Sequence, residues 1–115
     1  MSYFPEPNSA NPARRVKVGN SVVVAIHPHG SQPVQGKLHD LSVTGGLLIL
    51  PRALSHGEFV EVAFQTSQGM VRGMAELLEA RRESTSGCIQ PFRFVALNDD
   101  DHTRLSRAVE SNLRM

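Results

Sequence analysis

Short apolar segments separated by turn-forming residues dominate the middle of the chain. In residues 59–64 (FVEVAF), Val60, Val62 and Phe64 share one face while Glu61 lies on the other, a period of two that predicts a half-buried strand. Glycine and proline fall between such segments and predict turns. Four further strands are predicted at residues 21–26, 33–41, 47–50 and 89–97. Short strands at this spacing are typical of a barrel or a sandwich.

Residues 70–82 (MVRGMAELLEARR) fit two patterns. One set of positions has helical spacing: Met74, Leu77, Leu78 and Arg81. Another set would line one face of a strand: Val71, Gly73, Ala75 and Leu77. We predict a strand, because glycine is costly inside a helix and the neighbouring segments are strands.

The carboxy-terminal residues change to a helical pattern. Asn98 or Asp99 can cap a helix, and the acidic residues 99–101 complement the positive end of its dipole. Apolar residues then recur on one helical face: Leu105, Ala108, Val109 and Leu113. The chain is therefore predicted to be all-β with a terminal helix, about six strands followed by one helix.

The length of 115 residues fits one domain. Residues 1–13 (MSYFPEPNSANPA) contain three prolines and show no periodicity, so they are predicted to form a flexible N-terminal arm before a folded domain at residues 14–115. Apolar residues make up 40% of the chain, which suffices for one modest core. The single cysteine, Cys88, excludes an intramolecular disulfide and suits a reducing compartment.

Charge and hydropathy narrow the class of partner. The formal net charge of +1 argues against a domain that binds nucleic acid through bulk electrostatics. No apolar run approaches the length of a transmembrane helix, and the start of the chain lacks the features of a signal peptide. We therefore expect a cytoplasmic protein without membrane insertion. Because the spacings of metal ligands and of catalytic motifs are missing, we expect neither a metal site nor an enzyme.

The most informative segment is residues 39–46 (HDLSVTGG), which predicts a strand, a tight turn and a second strand. Asp40 and Ser42 are two residues apart and would project from the same side of the strand. Gly45 and Gly46 allow positive φ and the close approach of a ligand or another backbone. From these residues alone, two interpretations stand: a hairpin turn without a ligand, or part of a binding site.

The segment also carries a resemblance to a known family. Asp40-x-Ser42-x-x-Gly45 reproduces the [Asp/Asn]-x-Ser-x-x-Gly signature of PilZ domains, bacterial signalling modules that residues 14–113 resemble as a whole. A basic cluster lies about two strands before the signature, and a Leu-rich strand, an Arg-Phe-Val tripeptide at residues 93–95 and an acidic link into the last helix follow it. The resemblance implies a six-stranded antiparallel β-barrel with a C-terminal α-helix.

The resemblance further implies a ligand, cyclic di-GMP, which carries two phosphates and two guanines. The planar fork of arginine can grip either group. Arg14 and Arg15 would meet phosphate and base, and the basic segment would fold over the barrel. Asp40 and Ser42 would bond guanine edges or orient an arginine. An unidentified protein partner would receive the signal. The implied ligand-binding residues are Arg14, Arg15, Lys17, Asp40, Ser42, Gly45 and Gly46.

The basic cluster departs from the family pattern, whose second motif is Arg-x-x-x-Arg. Counted from Arg14, the fifth position is Val18; with Lys17 as the fifth position, the first is Ala13. Lysine lacks the guanidinium fork, and a lost bidentate contact costs on the order of 1–3 kcal/mol. The alternative is therefore a degenerate PilZ-like interaction module that does not bind cyclic di-GMP, in which Arg14, Arg15 and Lys17 are a solvated start to the first strand.

Overall fold

A computed structural model describes residues 15–84 and 87–111 of the chain. The predicted arm, residues 1–13, and Arg14 lie outside the described residues. The secondary-structure elements are β1 (Val16–Pro28), β2 (Val34–Ser42), β3 (Gly45–Leu50), β4 (Phe59–Thr66), β5 (Gly69–Leu77), β6 (Arg82–Ser84), β7 (Gly87–Ala96) and α1 (Asp99–Glu110).

Six of the strands close into a barrel. They follow the order β3-β2-β1-β4-β5-β7, each pair is antiparallel, and β3 also pairs with β7 to complete the ring. The remaining strand, β6, adds three residues beside the start of β7. The predicted fold class, a six-stranded antiparallel β-barrel with a C-terminal helix, is confirmed. The sequence did not reveal β6, because three residues are too few to show a period.

The barrel interior is built from the strand faces that the period of two predicted. On β4, Val60, Val62 and Phe64 are buried while Glu61 is exposed. Buried aliphatic and aromatic residues from the strands and the helix form a single cluster. Full burial of one such side chain contributes about 1.5–3 kcal/mol relative to its exposure, so this cluster is the main stabilising element of the fold.

The segment 70–82 forms a strand, as predicted, but this strand, β5, ends at Leu77 and Arg82 begins β6; the helical interpretation of the segment is wrong. Val71, Ala75 and Leu77 all face the core. Between them, a β-carbon at Gly73 would lie 2.5 Å from Cδ2 of Leu97. Glycine at this position therefore makes room for the leucine that follows β7.

The first strand is longer than predicted at both ends. It begins at Val16 and continues through Pro28, whereas the sequence pattern ended it at Ile26. Pairing with β2 stops at Ile26, and Pro28 pairs only with Val60 of β4. Because the strand has a free edge at that point, the missing N–H of proline costs no ladder hydrogen bond. The turn follows instead at Gly30, which has a φ of 73°.

The helix packs mainly against β5. Its cap is Asn98, one of the two predicted candidates, whose side-chain oxygen accepts the backbone N–H of Asp101 at 2.8 Å. Three of the four predicted apolar positions are buried: Leu105, Ala108 and Val109. The fourth, Leu113, lies outside the described residues. Across the described part of the chain, no helix has the length and apolar character needed to span a membrane.

Two helix side chains complete an edge of β5. Because β7 pairs only with the last four residues of β5, the preceding backbone groups face the helix. Asp101 Oδ1 accepts the backbone N–H of Arg72 at 2.9 Å, and Arg104 Nε donates to the carbonyl of Met70 at 2.8 Å. Side chains thus replace the missing strand neighbour, which is how buried backbone groups avoid the loss of a partner.

Candidate ligand-binding site

The turn between β2 and β3 is organised by the buried hydroxyl of Ser42. Its Oγ accepts the backbone N–H of Thr44 at 3.2 Å and donates to the carbonyl of Gly45 at 3.2 Å. The two hydroxyl oxygens, Ser42 Oγ and Thr44 Oγ1, lie 2.9 Å apart. A hydroxyl has one proton to donate and two lone pairs, so these contacts use its full capacity. In this structure Ser42 holds the turn in shape.

The double glycine permits two close backbone approaches. A β-carbon at Gly45 would collide with the carbonyl oxygen of Phe92 on β7, and one at Gly46 would collide with the carbonyl oxygen of Asp40 on β2. Of the two glycines, Gly45 alone has a positive φ, 156°. The sequence expectation of close approach is met at both positions, and the approaching group is backbone.

Arg15 lies immediately before β1 and forms an ion pair with Asp40 of β2. The distance from Arg15 Nη1 to Asp40 Oδ1 is 3.3 Å. The carboxylate side chain is 8% exposed and the arginine side chain is 49% exposed. A carboxylate removed from water needs a charged or hydrogen-bonding partner, so Asp40 fixes one end of a guanidinium that is otherwise open to solvent.

A cavity of about 570 Å³ opens beside the turn. Its volume falls within the range of small-molecule sites. The described residues that line it are Arg15, Thr44, Gly45, Gly46, Leu78, Arg81, Pro91, Phe92, Arg93, Phe94 and Val95. Three of them are arginines, and none of these described lining residues is acidic. Guanidinium groups around a concave surface create a positive potential that suits an anionic ligand.

The seven predicted ligand-binding residues separate into three groups. Arg15, Gly45 and Gly46 line the cavity. Asp40 and Ser42 stand behind it, the first holding Arg15 and the second holding the turn. Lys17 is exposed on β1 and is not among the residues that line the cavity, and Arg14 lies outside the described residues.

Two further arginines of the cavity wall were not predicted as part of the site. Arg93 of β7 lines the cavity, and its Nε and Nη2 lie 2.7 Å and 2.6 Å from Glu76 Oε1 on β5. The alternation of Phe92, Arg93 and Phe94 in the sequence marks Arg93 as an outward position and could have suggested it. Arg81 also lines this wall, and no local pattern distinguishes it from other surface arginines.

The wall is supported from behind by Gln90, a fully buried polar residue of β7. Its amide nitrogen donates to the carbonyls of Leu54 and Leu78 at 2.8 Å and 3.0 Å, and its amide oxygen accepts the backbone N–H of Leu54 at 2.8 Å. A satisfied buried amide of this kind rigidifies its surroundings. Leu78 lines the cavity, so Gln90 fixes part of the wall.

A closed antiparallel barrel with an arginine-lined cavity beside a glycine turn defines a domain suited to a small anionic ligand. The family model of the PilZ domain matches residues 12–111 of this chain. The chain therefore belongs to the PilZ domain family. A search of curated proteins finds no match.

Solved structures with the same fold include three that differ in length. YcgR from Escherichia coli, in complex with c-di-GMP, superposes with a TM-score of 0.73 at 18% identity, covering 89% of this chain and 45% of that one. The PilZ domain of YcgR from the same organism, with c-di-GMP, gives 0.69 at 18% identity, covering 90% and 91%. The Bacillus subtilis inhibitor of motility, MotI/DgrA, gives 0.70 at 13% identity, covering 90% and 50%. This chain thus spans less than half of the YcgR chain, and at these identities the similarity concerns the fold.

Proposed function

We propose that this PilZ domain is a receptor for cyclic di-GMP, which binds in the cavity beside the β2–β3 turn. The observation that carries the proposal is the contact between Arg15 and Asp40 at the edge of an arginine-lined cavity. The two phosphates and two guanines of the ligand each match the planar fork of arginine. The fold shared with two structures that contain c-di-GMP supports the same choice.

The proposed binding step follows from the position of each group. Asp40 holds Arg15 by one nitrogen, which leaves the other guanidinium donors free for phosphate or for a guanine edge. Gly45 keeps the turn close to β7, so no side chain fills the space beside the ligand. Arg14 adds a second guanidinium and Lys17 adds a point charge. Binding then orders the basic segment before β1 over the barrel, and a protein partner recognises this change.

Calorimetric titration with cyclic di-GMP tests the proposal directly. We expect Arg15→Ala to weaken binding by about tenfold, since one bidentate contact to an anion or base is worth about 1–3 kcal/mol. Ser42→Ala should also weaken binding, because the turn that positions Gly45 loses its hydroxyl contacts. Arg72→Ala is the matched control, because this exposed arginine lies on β5 outside the cavity. Unchanged affinity in both site variants would exclude this site.

A second candidate function, a PilZ-like interaction module without the nucleotide, is favoured by one observation. Val18, the fifth position counted from Arg14, is partly buried and packs against the core cluster. The position of the second motif arginine therefore carries an apolar side chain that supplies no cation to the cavity. If titration up to high micromolar cyclic di-GMP gives no heat and the NMR resonances of residues 14–18 do not shift, the domain is an interaction module and not a receptor for the nucleotide.

A further inference from the structure

Two arginines besides Arg15 line the cavity, Arg93 and Arg81, and neither belongs to the family signature. Arg93 lies on β7, where it pairs with Gly45 of β3 on one side and with Glu76 of β5 on the other. Arg81 lies in the segment after β5, and its backbone N–H donates to the carbonyl of Ile89 on β7 at 2.9 Å. Both backbones are therefore fixed by β7 while both side chains are exposed.

Glu76 holds Arg93 through its carboxylate. One carboxylate oxygen, Oε1, accepts from Nε at 2.7 Å and lies 2.6 Å from Nη2. The arginine side chain is 61% exposed and the glutamate side chain is 21% exposed. An ion pair this exposed to water contributes little free energy, so a phosphate that arrives in the cavity can compete with the carboxylate for the same donors.

The chemistry of the ligand calls for more than one guanidinium group. A cyclic dinucleotide carries two phosphodiester groups on opposite edges of its ring, and Arg15 supplies one guanidinium to the cavity. The motif position that would supply a second arginine is occupied by Val18, which packs against the core. Arg93 and Arg81 are the other described arginines that line the cavity.

We propose that Arg93 and Arg81 form a second phosphate-binding wall, and that Glu76 is the group that the ligand phosphate displaces from Arg93. The identity of the ligand in this inference rests on the proposed function. The assignment of the wall rests on the cavity and on the Glu76 contact. Glu76 then lowers the affinity, because its carboxylate must be displaced before Arg93 can bind the phosphate.

The test compares variants with opposite expected effects. Arg93→Ala should weaken cyclic di-GMP binding about tenfold, and Arg81→Ala should weaken it less, because no strand pairing fixes that segment on both sides. Glu76→Gln should tighten binding about threefold, because the competing charge on Arg93 is removed. Arg72→Ala and Glu61→Gln make the same charge changes on exposed positions of β5 and β4 that do not line the cavity, and should leave affinity unchanged.

A second measurement separates this inference from the proposed function. The side-chain Nε–Hε resonances of the arginines are followed by NMR in the full chain, during titrations with cyclic di-GMP and with inorganic pyrophosphate. Shifts at Arg81 and Arg93 that Glu76→Gln enhances support the wall, even if cyclic di-GMP itself does not bind and the proposed function fails.

Two outcomes overturn the wall. In the first, cyclic di-GMP binds and Arg15→Ala weakens it while Arg93→Ala, Arg81→Ala and Glu76→Gln match the native affinity; the proposed function then stands without the wall. In the second, neither probe shifts the resonances of Arg81 and Arg93 and the calorimetric titration with cyclic di-GMP shows no binding, so both ideas are lost. Each variant is also unfolded in urea. A midpoint equal to that of the native domain shows that the affinities were measured on folded domains.

Discussion

An aspartate on the barrel and an aspartate on the helix each form an ion pair with an arginine, but the two pairs have different surroundings. Asp40 on β2 accepts from Arg15, and Asp101 on α1 accepts from Arg104, in both cases at 3.3 Å. The two carboxylate side chains are 8% and 9% exposed. Judged by distance and burial alone, the two pairs would be assigned the same role.

Their other contacts differ. Asp101 also accepts the backbone N–H of Arg72, and Arg104 also donates to the carbonyl of Met70, so this pair fastens the helix to an edge of β5. Among the described residues, the Asp40 side chain has one hydrogen-bonding and ion-pair partner, Arg15. A pair that satisfies backbone groups is structural, whereas a pair whose arginine faces a cavity can exchange its partner for a ligand.

The largest expected effect concerns Gly45, in the turn that follows Asp40 on the cavity side of the molecule. Gly45→Ala should lower the free energy of unfolding by about 3 kcal/mol, because the new methyl group meets the Phe92 carbonyl where β3 and β7 close the barrel. Gly30→Ala is the control: Gly30 has a φ of 73° but no atom within 4 Å of its β-carbon position, so only the backbone cost of about 1–2 kcal/mol applies. Urea unfolding measures both. Equal losses would mean that the close approach adds nothing.

The next effect tests the helix side of the comparison. Asp101→Ala should lower the free energy of unfolding by about 2 kcal/mol, because the Arg72 N–H loses its acceptor. Asp100→Ala removes an exposed charge from the same helical turn and should cost only about 0.5 kcal/mol. Hydrogen exchange at Arg72 should accelerate only in the first variant. An Asp101→Ala domain as stable as Asp100→Ala would break the distinction drawn between the two pairs.

The smallest effect is expected at Asp40. Asp40→Asn should lower the free energy of unfolding by less than about 1 kcal/mol, since Arg15 is half exposed and the amide oxygen can still accept from it. The small loss should shrink further in added salt, because exposed charges are screened. Denaturation at low and high ionic strength measures this. A loss as large as that of Asp101→Ala would mean that the Arg15 pair is also structural.

Much of the fold could be predicted because short-range periodicity in the sequence indicates which side of a strand or helix is buried. The period of two on β4 and the stripe on α1 report which side is buried, and both are confirmed by burial. The ends of β1 could not be predicted, since its start depends on pairing with β2 and its end on pairing with β4, which continues to Pro28. On β7 the alternation itself fails near its end: the pairing with β5 shifts register, and Ala96, which a period of two would place on the face of Phe92, is exposed.

The candidate site was predictable only in its local half. Asp40, Ser42 and the two glycines lie within seven residues, so a short motif identifies them together. The pairing of β3 with β7 brings Arg93 beside Gly45, and Arg81 reaches the same cavity from the segment before β6. These arginines are distant from the motif along the chain, so a local sequence pattern does not identify them.

The contacts of Ser42 and Gly45 bear on how relatives of this domain diverge. Ser42 holds the turn and Gly45 permits the closure between β3 and β7, in both cases through contacts with the protein's own backbone. A lineage that stops using the ligand would still be selected to keep them, because losing them destabilises the turn and the closure. The arginines that line the cavity are not needed for the turn or the barrel closure, so they can be substituted in such a lineage. In comparing relatives, the Asp-x-Ser-x-x-Gly signature therefore reports descent, and the arginines report whether the ligand is still bound.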